Sequence, residues 1–141
     1  YTLGQRKGLA IGGLRHHPEA PWFVVDKDIK TNTLYAAQDS HHPMLMSTRI
    51  QAHQAHWIAG APPSLGAALT AKIRYRQADQ PCQISAIDGE CITVVFDNPQ
   101  RAATPGQSLV LYDGERCLGG AVISATNAPK PEPMLGALMT A

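Results

Sequence analysis

No stretch of this 141-residue sequence approaches the ~20 consecutive apolar residues that a membrane-spanning helix needs, and no signal-like leader is read at its start. Cysteine is scarce. Cys82, Cys91 and Cys117 are odd in number and lack C-x-x-C spacing. Each sits in an apolar strand-like run, where a small buried thiol is the default, and unpaired thiols fit a reducing, cytoplasmic home. An excess of one charge is missing too. With 12 basic and 11 acidic residues, a generally polycationic nucleic-acid binder is excluded. Any RNA contact must then come from clustered cations and weaken as salt rises. Also absent are a long helical period, the G-x-x-x-x-G-K-[ST] spacing of a Walker A loop, and a nucleophile–base pair. His53 and His56 have H-x-x-H spacing but no obvious third ligand, so scattered histidines are expected rather than a metal site.

What remains is a rhythm of short strands and tight turns. The hydrophobic fraction of 44% is enough for a core. Trp22–Asp26 and Thr33–Ala37 read as a hairpin, with the Asp26–Asp28 charges in a solvated turn. Further on, Ala68–Arg76 is predicted as one strand. Cys82–Ile87 and Cys91–Phe96 flank Asp88-Gly89, and Ser108–Tyr112 and Arg116–Ser124 flank Asp113-Gly114, two hairpin signals. Asn98-Pro99 reads as loop, and Pro105-Gly106 suits the centre of a type II turn. Five or six such strands predict an all-β chain built on a small antiparallel barrel or sandwich. The expected divisions are a β-rich remainder of another domain at 1–46, a barrel at 47–127, and a disordered tail at 128–141. Because Tyr1 opens inside a motif, the chain is expected to be a piece of a longer protein.

Two stretches carry candidate chemistry. In Ala71–Gln77, Lys72, Arg74 and Arg76 alternate with Ile73, Tyr75 and Gln77. On a regular strand the cations share one face, as a phosphate-bearing partner would require. The solvated face of an edge strand gives the same pattern. Tyr1–Gly13 holds four glycines with Arg6 and Lys7. It reads either as a phosphate cradle or as a glycine-rich turn feeding a short strand.

The order of the motifs is more specific than any one of them. Y-T-L-G-Q-R-K-G-L-A-I-G-G at Tyr1–Gly13, P-W-F-V-V-D-K-D at Pro21–Asp28, K-I-R-Y-R-Q at Lys72–Gln77, A-A-T-P-G-Q-S at Ala102–Ser108 and C-L-G-G-A-V-I at Cys117–Ile123 follow one another. Together they resemble the C-terminal half of the bacterial tRNA-specific 2-thiouridylases, from Tyr1 to about Ile123. The resemblance implies a C-terminal β-barrel similar to the second domain of elongation factor Tu, behind part of a central β-rich domain. It also implies a full-length enzyme that activates the wobble uridine of tRNA with ATP and magnesium and installs sulfur from a cysteine persulfide. That sulfur would arrive from a sulfur-relay protein, and neither DNA nor a membrane is an expected partner. The nucleotide loop and the reactive cysteines of the family precede the first motif, so Cys82, Cys91 and Cys117 do not inherit the catalytic role.

By the same resemblance Arg74, Tyr75 and Gln107 match family positions that touch tRNA. Lys72, Arg76, Arg6 and Lys7 are weaker candidates, on charge alone. Arg74 can bridge phosphate oxygens bidentately, and Gln107 on a Pro-Gly turn can reach a base edge or sugar. Tyr75 poses a difficulty, because on a regular strand it faces away from Arg74. A barrel that docks a partner protein is the alternative reading.

Overall fold

Alternating apolar residues and glycine-led turns produce strands and one short 3-10 turn, Pro43–Leu45. The computed structural model describes residues 3–6, 23–28, 30, 33–37, 43–129 and 137–140. They belong to two units, Tyr1–Met46 with Ala128–Ala141, and Ser47–Asn127. In the first, β1 (Phe23–Asp28) pairs with β2 (Thr33–Ala37) as an antiparallel hairpin. The segment beyond Asn127 contributes β9 (Ala137–Thr140), antiparallel to β2. Gly4 N donates to Val24 O at 2.7 Å and Val24 N donates to Gln5 O at 2.9 Å. The G-Q of the first motif therefore pairs with β1, as a turn feeding a strand does.

The second unit is a closed barrel in the order β3-β6-β5-β4-β7-β8. Its strands are β3 (Met46–Trp57), β4 (Leu69–Lys72), β5 (Gln80–Asp88), β6 (Cys91–Arg101), β7 (Ser108–Asp113) and β8 (Arg116–Thr126). The period-2 pattern holds along the middle of most strands and slips at bulges such as Ile84/Ala86 and Leu111/Tyr112. Ile84, Ile92, Val94, Phe96, Leu109, Leu111 and Ile123 are buried inside, while Thr93 and Val95 on β6 face outward and are half-buried. Each such buried aliphatic side chain contributes about 1.5–3 kcal/mol. Both D-G hairpins form, one residue later than the signal suggested. Asp88 pairs with Cys91 and Asp113 with Arg116, leaving Gly89-Glu90 and Gly114-Glu115 as the two-residue loops. Gly89 and Gly114 take φ of 58° and 60°, which glycine adopts without steric cost.

Asn127 ties the end of β8 to the start of β3. Its Oδ1 accepts from Thr48 N and Arg49 N, both at 2.9 Å, and its own backbone N donates to Arg49 O at 3.0 Å. At the other end of this seam β3 bulges at Gln54, whose φ is 54°, and β8 passes unusually close. A Cβ on Gly119 would overlap the carbonyl oxygen of His56.

Three expectations fail here. Asp26–Asp28 are not in a turn but end β1, paired with Tyr35, Leu34 and Thr33. Asn98-Pro99 is not a loop but lies within β6. It falls past Phe96, the last β6 residue paired with β5, where a proline costs that ladder no hydrogen bond. The strand predicted over Ala68–Arg76 stops at Lys72, and the chain bends through 73–76.

Candidate nucleic-acid interface

The early end of β4 resolves the Arg74–Tyr75 difficulty. Ile73 still points inward and is buried, but Arg74, Tyr75 and Arg76 all lie exposed on the turn that follows. Alternation no longer applies once the strand has ended, so neighbours can share one surface. Tyr75 is 94% exposed, a large ring with nothing of the protein covering it.

Glutamines hold this turn. Gln77 Oε1 accepts from Ile73 N at 2.9 Å, closing the turn on itself, and Gln77 N donates to Arg74 O at 3.3 Å. Gln77 Nε2 donates to Gln100 Oε1 at 2.9 Å, and Gln100 Nε2 donates to Gln80 Oε1 at 3.2 Å and Asn98 O at 3.0 Å. Gln100 is only 2% exposed, so this is a satisfied interior network that fixes the turn to β5 and β6.

A second turn abuts the first. Ala102, buried and at φ 54°, ends β6 in the left-handed region. Its carbonyl accepts from Arg74 Nη2 at 3.1 Å and from Thr104 Oγ1 at 2.9 Å. The expected type II turn follows: Gly106 has φ 94°, and Gln107 N donates to Thr104 O at 3.1 Å. Gln107 Oε1 in turn accepts from Thr104 N at 3.1 Å. Half of its amide is thus committed to shaping the turn.

The residues expected at the site separate accordingly. Arg74 and Gln107 are linked through the Arg74–Ala102–Thr104–Gln107 chain of contacts, and Tyr75 follows Arg74 on the same turn. Arg76 lies exposed on the same turn. Lys72 sits at the end of β4, with its ammonium 3.3 Å from Asp79 and 5.6 Å from the centre of the Tyr112 ring. Arg6 is exposed in the first unit, and Lys7 lies outside the described residues. Burial, and after it the positive charge of Arg101, pull the Arg74 guanidinium below its ordinary value, though an arginine stays charged regardless. Arg101 stands directly before the A-A-T-P-G-Q motif and escaped the sequence reading. Its only signal there was a cation adjoining a motif.

Among the described residues no group of three or more His, Cys, Asp or Glu side chains could hold a metal ion. Cys82 is buried, and burial, with Asp97 adding to it, pushes its thiol up to about 12. Such a thiol is a poor nucleophile.

Comparison with known proteins gives concordant results. A family model described as an aminomethyltransferase beta-barrel domain matches residues 47–123, and one described as a tRNA methyl transferase PRC-barrel domain matches residues 1–38. The tRNA-specific 2-thiouridylase MnmA of Xanthomonas campestris pv. campestris (strain B100) is 55% identical over 136 residues, which is 96% of this chain and 36% of that protein. Its namesake in Stenotrophomonas maltophilia (strain R551-3) is 57% identical over 129 residues, 92% of this chain and 34% of that protein. The chain spans about a third of the length of the curated relatives it matches.

Proposed function

The chain belongs to the tRNA-specific 2-thiouridylase family, and on that premise we propose that it is the tRNA-holding part of a tRNA-uridine 2-sulfurtransferase. The observation that carries the reading is the exposure of Arg74 and Tyr75 on one turn, braced against the loop that bears Gln107. Arg74 offers a planar donor fork to phosphate oxygens. Tyr75 offers an uncovered ring on which an unstacked base can lie. Gln107, with Oε1 engaged, retains an Nε2 donor for a base edge or sugar. These contacts position the RNA while the chemistry proceeds elsewhere in the protein.

ATP with magnesium belongs to the full-length enzyme in this reading: the sequence has no Walker A spacing, and among the described residues no group of His, Cys, Asp or Glu side chains could hold a metal ion. Nucleotide activation and persulfide chemistry fall to the remaining length that the relatives have. A sulfur-relay protein is the expected partner for that chemistry. Arg74→Ala in the full chain is expected to weaken binding of an unmodified tRNA transcript about tenfold and to flatten its salt dependence. Unchanged affinity and slope in a titration across salt concentrations would count against the reading.

One observation favours a second reading, a protein-docking barrel. Ile58 and Leu65 are 65% and 58% exposed, and a groove of about 390 Å³ opens between Ile58, Pro62, Leu69 and Leu118. If a partner protein were the ligand, Ile58→Glu would abolish its capture while Arg74→Ala left it intact.

A further inference from the structure

Among the described residues, Lys72 is the one cation of the Lys72–Gln77 motif within ion-pair distance of an acid. Its ammonium lies 3.3 Å from Asp79 Oδ1, and the other oxygen of that carboxylate accepts from Thr70 Oγ1 at 3.4 Å. The ammonium also lies 5.6 Å from the centre of the Tyr112 ring, within reach of a cation–π contact. Thr70 and Lys72 alternate with the buried Leu69, Ala71 and Ile73, so both point away from the core. Asp79 stands one residue before β5, at the far end of the bend that carries Arg74, Tyr75 and Arg76. Arg74 and Arg76 lie exposed, and the partner of the Arg74 guanidinium is a neutral carbonyl rather than an acid.

The side chains of Lys72 and Asp79 are 33% and 42% exposed, and an ion pair so open to water contributes little to folding. Its larger effect is on the charge offered to a ligand. Lys72 is two residues from Arg74, and two residues of chain span at most about 7 Å. That is less than the screening length of about 8 Å in physiological salt, so an unpaired Lys72 would act on the same stretch of RNA backbone as Arg74. Cations that meet only phosphate strengthen the hold on any RNA and carry no sequence information.

We propose that Asp79 masks Lys72 from RNA and is thereby a specificity-determining residue of the tRNA-holding surface. The mask removes one sequence-blind cation and leaves recognition to Arg74, Tyr75 and Gln107. Unmasked, Lys72 would count in full on an RNA that can slide until a phosphate meets it. On the proper tRNA the register is already set by the other three residues, and the gain is smaller. The inference rests on the tRNA-holding reading above.

Binding of two RNAs to the full chain, titrated across salt, tests it. One is an unmodified tRNA transcript and the other a scrambled RNA of the same length. Asp79→Asn keeps an oxygen for Thr70 Oγ1 while removing the charge. It is expected to tighten binding of the scrambled RNA about threefold and to steepen its salt slope by about 1, with a smaller gain on the transcript. Lys72→Met alone is expected to bind both RNAs as the parent does, and Lys72→Met/Asp79→Asn to lose the gain, because the gain acts through the freed ammonium. A loop staple without a masking role predicts the reverse: both single variants melt earlier and bind both RNAs more weakly, which overturns the proposal. Equal gains on the two RNAs overturn the specificity role, and a gain that survives in the double variant overturns the part given to Lys72. Unchanged binding in Asp79→Asn, with Arg74→Ala impaired, overturns the mask and leaves the tRNA reading standing. If Arg74→Ala also binds the transcript normally, the reading beneath the inference is lost as well.

Discussion

Arg74, Ala102 and Cys82 show how burial assigns different work to residues that look alike in sequence. Arg74 and Arg76 are two residues apart in one motif, yet only Arg74 is braced, through the Ala102 carbonyl, against a second turn. The three cysteines all sit in strand-like runs, but Cys82 is buried, Cys117 half-buried and Cys91 exposed at a hairpin end. The thiol of Cys82 is raised from 9.0 to about 12, by burial first and then by Asp97. Its native state therefore holds a proton that the unfolded state gives up above pH 9. The corresponding stability is complete below about pH 9 and is lost as pH climbs toward 12. Chemical denaturation of Cys82→Ala beside the parent chain should show a shallower fall in stability across that window. Parallel curves would mean that Cys82 ionises as easily when folded as when unfolded. The expectation of small buried thiols was thus right for Cys82 and wrong for Cys91, because Cys91 lies at the start of β6, on the side opposite the inward Ile92 and Val94.

At the scale of elements, the decisive unit is the turn after β4 together with its glutamines. Gln100 looks like a polar residue in a loop, and the sequence offers no reason to bury it. The structure places it near the end of β6, where it accepts from Gln77 and donates to Gln80. Gln100→Ala would leave Gln77 Nε2 without its acceptor and Gln80 Oε1 without its donor. The expected loss is about 1–2 kcal/mol in thermal or chemical unfolding, since two half-buried amides would lose their partner. Looser seating of the Arg74–Tyr75 turn should accompany it, read as weaker tRNA binding at temperatures where the variant is fully folded. A loss below about 0.5 kcal/mol would show that water replaces the amide without penalty, and that the network does not hold the turn.

The same elements mark what could be read in advance. The D-G hairpins and the inward face of Ile92, Val94 and Phe96 were legible, because turn chemistry and period-2 alternation are local properties. The end of β4 at Lys72 was not. Ile73, Tyr75 and Gln77 continue the alternation perfectly, and only the Gln77 side-chain bond to Ile73 N and the partner turn at Ala102 break it. β6 ran on through Asn98-Pro99 for a related reason: proline stops a strand only where its missing N–H is needed by a neighbour. Arg74, Tyr75 and Gln107 could be named as candidates from motifs, whereas the contact of Arg74 with the Ala102 turn required knowing which chain segments meet in space.

For the whole molecule, near-neutral charge and a local cationic site are two sides of one property. With 12 basic against 11 acidic residues, long-range attraction for RNA is weak, so the proposed tRNA holding would have to draw its affinity from the turn that carries Arg74 and Arg76 beside an uncovered ring. The closed barrel supplies rigidity for that concentration. β4, β5 and β6 are hydrogen-bonded in sequence around the wall, so the two turns projecting from them are held by the same core. The exposed Ile58 lines a separate groove of mixed polarity, together with Ser64, Asp113 and Arg116, and the exposed Leu65 follows Ser64; a protein partner would dock there instead. Site-specific photocrosslinking distinguishes these surfaces directly. With a benzophenone amino acid replacing Tyr75 in one sample and Leu65 in another, the full chain is irradiated with an unmodified tRNA transcript. If the turn after β4 holds the tRNA, an RNA adduct forms from position 75 and none from position 65; RNA captured at 65 but not at 75 would contradict that role.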